Sequence, residues 1–230
     1  ARLLLEAGCR VTGCDRTDRE KLDREVLDLE EQGLELRLGA GYLENLEADV
    51  VFRTPGMHPA NPALEALRRR GAAVTSEMEI FFQVCPCPVI AVTGSDGKTT
   101  TTTLLAEMLR AAGKTVWVGG NIGKPLLPEV GRMAPSDWAV VELSSFQLMD
   151  MDRSGHIAVV TNLAPNHLDV HKDMAEYVEA KRHVFAYQSE GDILILNRDH
   201  EITRSFAPGA PGQVRWFSRR ERPERGVFLE

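Results

Sequence analysis

The residues best suited to chemistry lie in the segment TGSDGKTT, between an apolar run and a long helical pattern. Gly94 and Gly97 can let backbone N–H groups approach phosphate oxygens, and a following helix N-terminus adds partial positive charge. Lys98 can neutralise the β- and γ-phosphates of a nucleotide, and the Thr99 hydroxyl can ligate Mg²⁺. Val92 occupies the first glycine position of the common GxxxxGK[ST] pattern. A turn that only caps a helix is the alternative, and the combination of strand, turn and helix favours phosphate binding.

Three further side chains could act with this loop. Glu142 ends the apolar run WAVVE, where an acid either faces solvent or binds a metal. Ligands commonly bind at the carboxyl ends of parallel strands, which favours a functional position. His167 follows another apolar run, although a histidine in a loop usually has no catalytic role. Lys181 lies in a helical pattern, where a solvated lysine is the alternative.

The elements that position these residues alternate between strand and helix patterns. This alternation predicts an α/β protein with parallel sheets and crossover helices. Cys85-Pro86-Cys87-Pro88 breaks the pattern and predicts a linker, so we expect domains at 1–86 and 87–230. The strand patterns are VTGCD, LELRL, DVVF and AAVTS in the first domain, and VIAVTG, TVWVGG, WAVVEL, HIAVVTNL and DILILN in the second. Among the helices, the one after the loop carries Leu104, Leu105, Met108 and Ala112 at helical spacing.

Composition excludes several classes of function. The 230 residues are 43% hydrophobic and 27% charged, with a net charge of −7, which argues against a nucleic-acid or anionic-membrane partner. No apolar run approaches the roughly 18 residues of a membrane span. Four cysteines form no disulfide framework, so we expect a reduced, cytoplasmic protein. Cys85 and Cys87, with no second pair nearby, fit a linker thiol pair better than a metal site. The chain begins inside a helical pattern, and we expect it to be a fragment.

Several motifs together resemble the Mur ligases, the amide-forming enzymes of peptidoglycan precursor synthesis. The loop TGSDGKTT is similar to their ATP loop and to that of folylpolyglutamate synthases, with Asp96 where Asn is usual. VELSSFQL resembles the segment of the family members that add D-glutamate. TNLAPNHLDVH is similar to the family pattern N-[IL]-x-P-D-H-L-D-x-H, and YVEAKRHVF to a helix whose lysine is often carbamylated. VTGCDRTDR, RTPG and GGNIG resemble segments that contact the UDP-linked substrate.

The resemblance implies a role for each matching position. The implied ATP ligands are Gly94, Ser95, Asp96, Gly97, Lys98, Thr99 and Thr100. The implied substrate contacts are Asp15, Arg16, Thr17, Thr54, Pro55, Gly56, Asn121, Ser144, Gln147 and His167. Two Mg²⁺ ions would be held by Thr99, Glu142, His167 and Lys181, and the implied catalytic set is Lys98, Glu142, His167 and Lys181.

The implied fold is a Rossmann-like UDP-binding domain followed by a P-loop-type ATPase domain. The implied activity is ATP-dependent ligation of D-glutamate to UDP-N-acetylmuramoyl-L-alanine through an acyl phosphate, a step in cell-wall biogenesis. Another Mur ligase, a folylpolyglutamate synthase, a P-loop NTPase of different role and a non-catalytic binding fragment are the alternatives. The third domain of the family lies outside this sequence, so we expect the chain alone, as a monomer, to be inactive.

Overall fold

Strands formed by apolar segments alternate along the chain with amphipathic helices. The structure is a computed structural model that describes residues 1–164 and 171–230. The α/β class predicted from the sequence is confirmed. The chain divides into two units, the first formed by Ala1–Val51 and Ala60–Val74, and the second by Phe52–Pro59 and Thr75–Glu230. Within the described ranges, no helix is both long enough and apolar enough to cross a membrane.

The first unit contains short elements. These are α1 (Arg2–Glu6), β1 (Thr12–Asp15), α2 (Arg24–Glu31), β2 (Glu35–Leu38), β3 (Val50–Phe52), α3 (Pro62–Arg69) and β4 (Ala73–Thr75), the last residues of β3 and β4 lying in the second unit. β1 pairs in parallel with β2, and β3 pairs with β4. Asn61 caps α3 by accepting a hydrogen bond from the Ala63 N–H, with Pro62 as the first helical residue. The sequence predicted this start, because Asn and Pro suit those two positions.

The second unit contains a seven-stranded sheet in the order β11-β10-β9-β8-β5-β7-β6, and each recorded strand pair is parallel. Its elements are α4 (Glu77–Val84), β5 (Val89–Thr93), α5 (Lys98–Ala111), β6 (Val116–Gly120), β7 (Trp138–Glu142), α6 (Ser145–Leu148), β8 (Ile157–Val160), α7 (Met174–Arg182), β9 (Ile193–Asn197), α8 (Glu201–Ser205), β10 (Gln213–Ser218) and β11 (Gly226–Phe228). The sequence analysis did not predict β10, β11, α6 or α8. The polar residues in β10 weaken the apolar pattern that a strand prediction needs.

The sheet is covered on both faces, and its strand β5, which lies between β8 and β7, is wholly buried. Val89 and Ala91 pack in one apolar cluster, while Ile90 and Val92 pack in the other. Alternate residues of a strand point to opposite faces, so β5 separates two cores. The predicted apolar spacing on α5 matches its buried face only at Leu105, because Leu104, Met108 and Ala112 are exposed. The helix instead buries Thr102 and Ala106, with Leu105 and Leu109 packed beside them.

Helix α4 belongs to the second unit, although the predicted division at residue 86 assigns it to the first domain. Met78 and Phe81 are almost fully buried in the same cluster as Cys87, Val89 and Ala91. Pro86 therefore ends the helix without separating it from the core that follows. The domain boundary near residue 86 stays a prediction, and the packing of α4 places this helix with the seven-stranded sheet.

Candidate active site

The phosphate loop joins the end of β5 to the start of α5. Gly94 has φ +146°, and Gly97, at the N-cap of α5, has φ +77°. A Cβ on Gly94 would collide with the hydroxyl of Thr161, so only glycine fits this close approach. Among the described residues, no side chain caps α5 at Gly97. The free N–H groups of the first helical turn can therefore bind an anion.

The carboxyl end of β8 fixes the shape of the loop. The Ser95 N–H donates to the Asn162 carbonyl, and the Asp96 N–H donates to the Asn162 side chain, each at 2.9 Å. The Thr161 hydroxyl donates to the Asp96 carbonyl at 2.6 Å. Ser95 also accepts a hydrogen bond from the Ala164 N–H at 2.9 Å. These bonds occupy the N–H groups of Ser95 and Asp96, so an anion at this loop would have to be bound by the glycines and the helix start.

Glu142 lies beside the loop at the end of the neighbouring strand β7. Its side chain is 1% exposed, and it accepts hydrogen bonds from Thr99 Oγ1 at 2.7 Å and from Asn121 Nδ2 at 2.8 Å. The Asn121 N–H also donates to the Glu142 carbonyl at 2.7 Å. Gly120, with φ +97°, permits this approach, because a Cβ there would meet the same carbonyl oxygen. The structure thus brings three of the predicted residues together.

This set of oxygen atoms fits a magnesium ion. Mg²⁺ is usually bound by one or two carboxylates together with waters and substrate phosphates. The Thr99 hydroxyl and a Glu142 carboxylate oxygen lie 2.7 Å apart, next to the loop that would hold the phosphates. Over residues 1–164 and 171–230, no group of three or more His, Cys, Asp or Glu side chains forms an all-protein cage. The donors therefore suit a metal that arrives with a nucleotide.

Lys181 lies beneath the loop, and its side chain is almost fully buried. The ammonium is 3.0 Å from Thr93 Oγ1 and 3.2 Å from the Gly94 carbonyl, and it donates to both. Burial, and secondarily the positive charge of Lys98, lower the pKa of Lys181 to about 7, against a smaller opposing effect of Glu142. A neutral amine is therefore accessible near neutral pH, which an unperturbed lysine rarely supplies. Lys98 itself donates to the Ser95 carbonyl at 2.8 Å.

His171 is a buried residue that the sequence analysis left without a role. Its Nε2 is 2.8 Å from Ser145 Oγ, and its ring stacks on Phe146. Its Nδ1 is 3.5 Å from a Glu176 oxygen, and burial lowers the pKa of this histidine. The available signal was its place as the last residue of the histidine-containing motif. His167, the candidate in that motif, lies outside the described residues.

Ser144 and Gln147, predicted to contact substrate, together cap helix α6. The Gln147 N–H donates to Ser144 Oγ at 3.2 Å, and the Ser144 N–H donates to Gln147 Oε1 at 3.0 Å. This reciprocal pair satisfies two N–H groups at the helix start. The Ser-Ser-Phe-Gln sequence therefore has a structural use, and the substrate contacts stay a prediction.

The remaining predicted substrate residues lie in two segments, one after β3 and one at the end of β1. Thr54, Pro55 and Gly56 form an exposed loop whose preceding residue, Arg53, is 4% exposed. Arg53 donates to both oxygens of Asp150 and to the carbonyls of Thr54, Met57 and Phe146. In the first unit, Asp15 ends β1 and accepts the Thr17 N–H at 2.8 Å, beside the exposed Arg16. Sequence analysis missed Arg53, because a single arginine before a turn carries no signal of burial.

A phosphate loop at the carboxyl edge of a parallel sheet, with a carboxylate and a buried lysine beside it, defines a nucleotide-binding α/β protein. The family model described as the Mur ligase middle domain matches residues 92–224, more than half of the chain. The chain therefore belongs to the Mur ligase family, as the sequence motifs predicted.

Curated relatives cover nearly the whole chain. The UDP-N-acetylmuramoylalanine--D-glutamate ligase of Clostridium novyi is 49% identical over 227 residues, which is 98% of this chain and 50% of the relative. The protein of the same name from Symbiobacterium thermophilum is 53% identical over 223 residues, 96% of this chain and 49% of the relative. The chain thus spans about half the length of the curated relatives it matches.

Solved structures show the same fold. The UDP-N-acetylmuramate:L-alanyl-gamma-D-glutamyl-meso-diaminopimelate ligase of Neisseria meningitides matches with a TM-score of 0.60 and 20% identity, covering 96% of this chain and 76% of that one. A murein peptide ligase from Psychrobacter arcticus matches with a TM-score of 0.54 and 21% identity, covering 94% of this chain and 49% of that one. At these identities the likeness concerns the fold alone.

Proposed function

We propose that this chain is part of an ATP-dependent ligase that adds D-glutamate to UDP-N-acetylmuramoyl-L-alanine in peptidoglycan precursor synthesis. The observation that carries the proposal is the meeting of Thr99 and Glu142 at the phosphate loop, with Lys181 buried beneath it. Relatives of that name, about half identical to this chain over nearly its full length, support the substrate. We also infer a cytoplasmic location, and the free cysteines fit a reducing compartment.

The proposed reaction begins with transfer of the γ-phosphoryl group of ATP to the carboxylate of the UDP-linked alanine. The amine of D-glutamate then attacks the acyl phosphate, and phosphate leaves as the amide forms. The chain's own contribution is positioning and charge stabilisation, the dominant effects in phosphoryl transfer. The loop N–H groups and Lys98 would bind the phosphates, and no side chain need act as a nucleophile, since the substrates supply both reacting groups.

The metal would be held by Thr99 and Glu142, with Asn121 keeping the carboxylate in place. Mg²⁺ bound there would supply positive charge opposite the transferring phosphoryl group. Lys181, once carbamylated, would offer an anionic oxygen to a second ion, and its lowered pKa supports carbamate formation. His167 as a further ligand, the second ion and a monomeric state stay predictions from the sequence.

The first test measures binding of Mg·ATP to this chain by calorimetry. Lys98→Ala removes a charge-assisted contact of about 1.5–3 kcal/mol, so we expect about 10- to 150-fold weaker ATP binding. Lys114→Ala is the matched control, because Lys114 is exposed beyond the far end of α5 and should leave binding unchanged. Equal affinities for the two variants would contradict nucleotide binding at the phosphate loop.

The second test concerns the substrate. We expect the chain to bind UDP-N-acetylmuramoyl-L-alanine more tightly than the same nucleotide sugar with a longer peptide, and not to bind a folate. Preference for either rival compound would favour another Mur ligase or a folylpolyglutamate synthase. ATP binding with no UDP-sugar binding would favour an NTPase of different role. From the sequence we also expect no D-glutamate-dependent phosphate release by these 230 residues, and detecting it would contradict that expectation.

A further inference from the structure

Two thiols outside the nucleotide site lie close together at the end of α4. Cys85 Sγ and Cys87 Sγ are 3.6 Å apart, on either side of Pro86. A disulfide needs the two sulfurs at about 2.05 Å, so a small local movement would join them. Both cysteines are free in this structure, Cys85 half-buried and Cys87 2% exposed. Nothing in the proposed ligase reaction uses either thiol.

We propose that Cys85 and Cys87 form a thiol–disulfide exchange site whose substrate is a small-molecule disulfide. In the first step the Cys85 thiolate attacks one sulfur of the small disulfide. A bond forms between Cys85 and that sulfur, and the other half leaves as a thiolate that takes up a proton. The Cys87 thiol then loses its proton, and the resulting thiolate attacks Cys85 Sγ. The bond between Cys85 and the small molecule breaks, and the second half leaves as a thiolate that takes up a proton. The protein dithiol is oxidised by two electrons, and the small disulfide is reduced to two thiols.

The different surroundings of the two thiols set the order of the steps. Cys85 reaches the surface, so it can meet a small molecule, whereas Cys87 is packed in the core beside Met78 and Val89. Burial, followed by the neighbouring Cys85 thiol, raises the pKa of Cys87 to about 12. Cys87 is therefore a poor first nucleophile. The second step needs no access from solvent, because Cys87 Sγ already lies 3.6 Å from Cys85 Sγ.

A metal site is a weaker explanation of the same pair. Two thiolates supply half of the four ligands that a structural zinc ion prefers. No group of three or more metal-binding side chains occurs in the part of the chain that the structure describes. The two thiols of this pair are separated in the sequence only by Pro86. The oxidised pair would link the end of α4 to the segment that enters β5, whose other end is the phosphate loop.

The test uses the whole chain and oxidised glutathione as the probe. The folded protein is incubated with excess oxidised glutathione, the reaction is stopped with acid, and free thiols are alkylated. Trypsin then releases residues 71–98 as one peptide that contains Cys85 and Cys87 and no other cysteine. We expect this peptide to lose two hydrogen atoms and both alkylation sites, and to recover them after treatment with dithiothreitol.

Variants separate the two steps. In Cys87→Ser we expect a glutathione adduct to accumulate on Cys85. In Cys85→Ser we expect the Cys87 thiol to react at least about tenfold more slowly than Cys85 does in Cys87→Ser, because access and thiolate character control exchange. Cys9→Ser is the matched control, since Cys9 is exposed and distant in sequence, and its loss should leave oxidation of the pair unchanged. Circular dichroism establishes that each variant is folded.

Three results would overturn the proposal. The first is a wild-type peptide that keeps both thiols while Cys9 reacts. The second is a wild-type protein that stops at a stable glutathione adduct on Cys85. The third is a Cys87 thiol that reacts as fast in Cys85→Ser as Cys85 does in Cys87→Ser, because the half-buried Cys85 would then have no special role.

Discussion

The buried lysine beneath the phosphate loop should make the stability of the second unit depend on pH. The pKa of Lys181 falls from an ordinary value of 10.5 to about 7, mainly because burial disfavours the ammonium. Between these values the unfolded chain binds more protons at this lysine than the folded chain does. The free energy of unfolding therefore rises with pH through this window. The stability that Lys181 contributes is complete above 10.5 and is lost as the pH falls to about 7.

The size of the effect follows from the two values. The full difference corresponds to about 5 kcal/mol, at about 1.4 kcal/mol for each unit of pKa. Between pH 7 and 8.5, where folded Lys181 goes from half-protonated to almost neutral, linkage gives a gain of about 1.5 kcal/mol. Lys181→Met keeps the length of the side chain but removes the titration, so this gain should disappear. Lys114→Met, an exposed lysine, should behave as the wild type does.

The assay is urea unfolding at pH 7 and 8.5 in carbonate-free buffer without nucleotide or metal. Tryptophan fluorescence reports the second unit alone, because Trp117, Trp138 and Trp216 all lie there. Glu79, whose pKa burial raises to about 7, also titrates near this range, and comparing variants removes its contribution. If wild type and Lys181→Met gained the same stability, the conclusion that Lys181 is neutral in the fold would be wrong.

Three more predictions test the site and its support. Gly94→Ala should destabilise the second unit by more than about 3 kcal/mol in urea unfolding, because the added Cβ meets the Thr161 hydroxyl. Gly97→Ala, with open space around it, should cost only about 1–2 kcal/mol, and equal losses would contradict the packing argument. Arg53→Met should lower the free energy of unfolding by about 3 kcal/mol, because Arg53 is buried. Asp150→Asn should lower it by only about 1 kcal/mol, because the Asp150 carboxylate is partly exposed, and the reverse order would contradict this explanation of the pair. Glu142→Gln should weaken Mg·ATP binding about tenfold and leave metal-free ATP binding unchanged, both measured by calorimetry. An equal loss of affinity in both would show that Glu142 does not act through the metal.

Local sequence signals predicted much of the architecture. Asn61 and Pro62 fixed the start of α3, and Gly94, Gly97 and Lys98 located the phosphate loop, because caps and glycine turns depend on neighbouring residues. Strands were predicted where apolar residues run without interruption or alternate with polar ones, as in LELRL. They were missed in β10, where Gln213 and Arg215 weaken the pattern, and in β11, which has only three residues. Pairing with the adjacent strand supplies the stability of both.

By itself the sequence determined the α/β class, the family and the residue types at the phosphate loop. These depend on short motifs and on the periods of strand and helix, which are properties of adjacent residues. Only the tertiary structure decided that Thr99 and Asn121 meet on Glu142, that Lys181 is buried deeply enough to lose its proton near neutral pH, and that Arg53 holds the exposed loop. Burial and pairing of groups far apart in the chain arise from how strands and helices pack, and no local pattern encodes them.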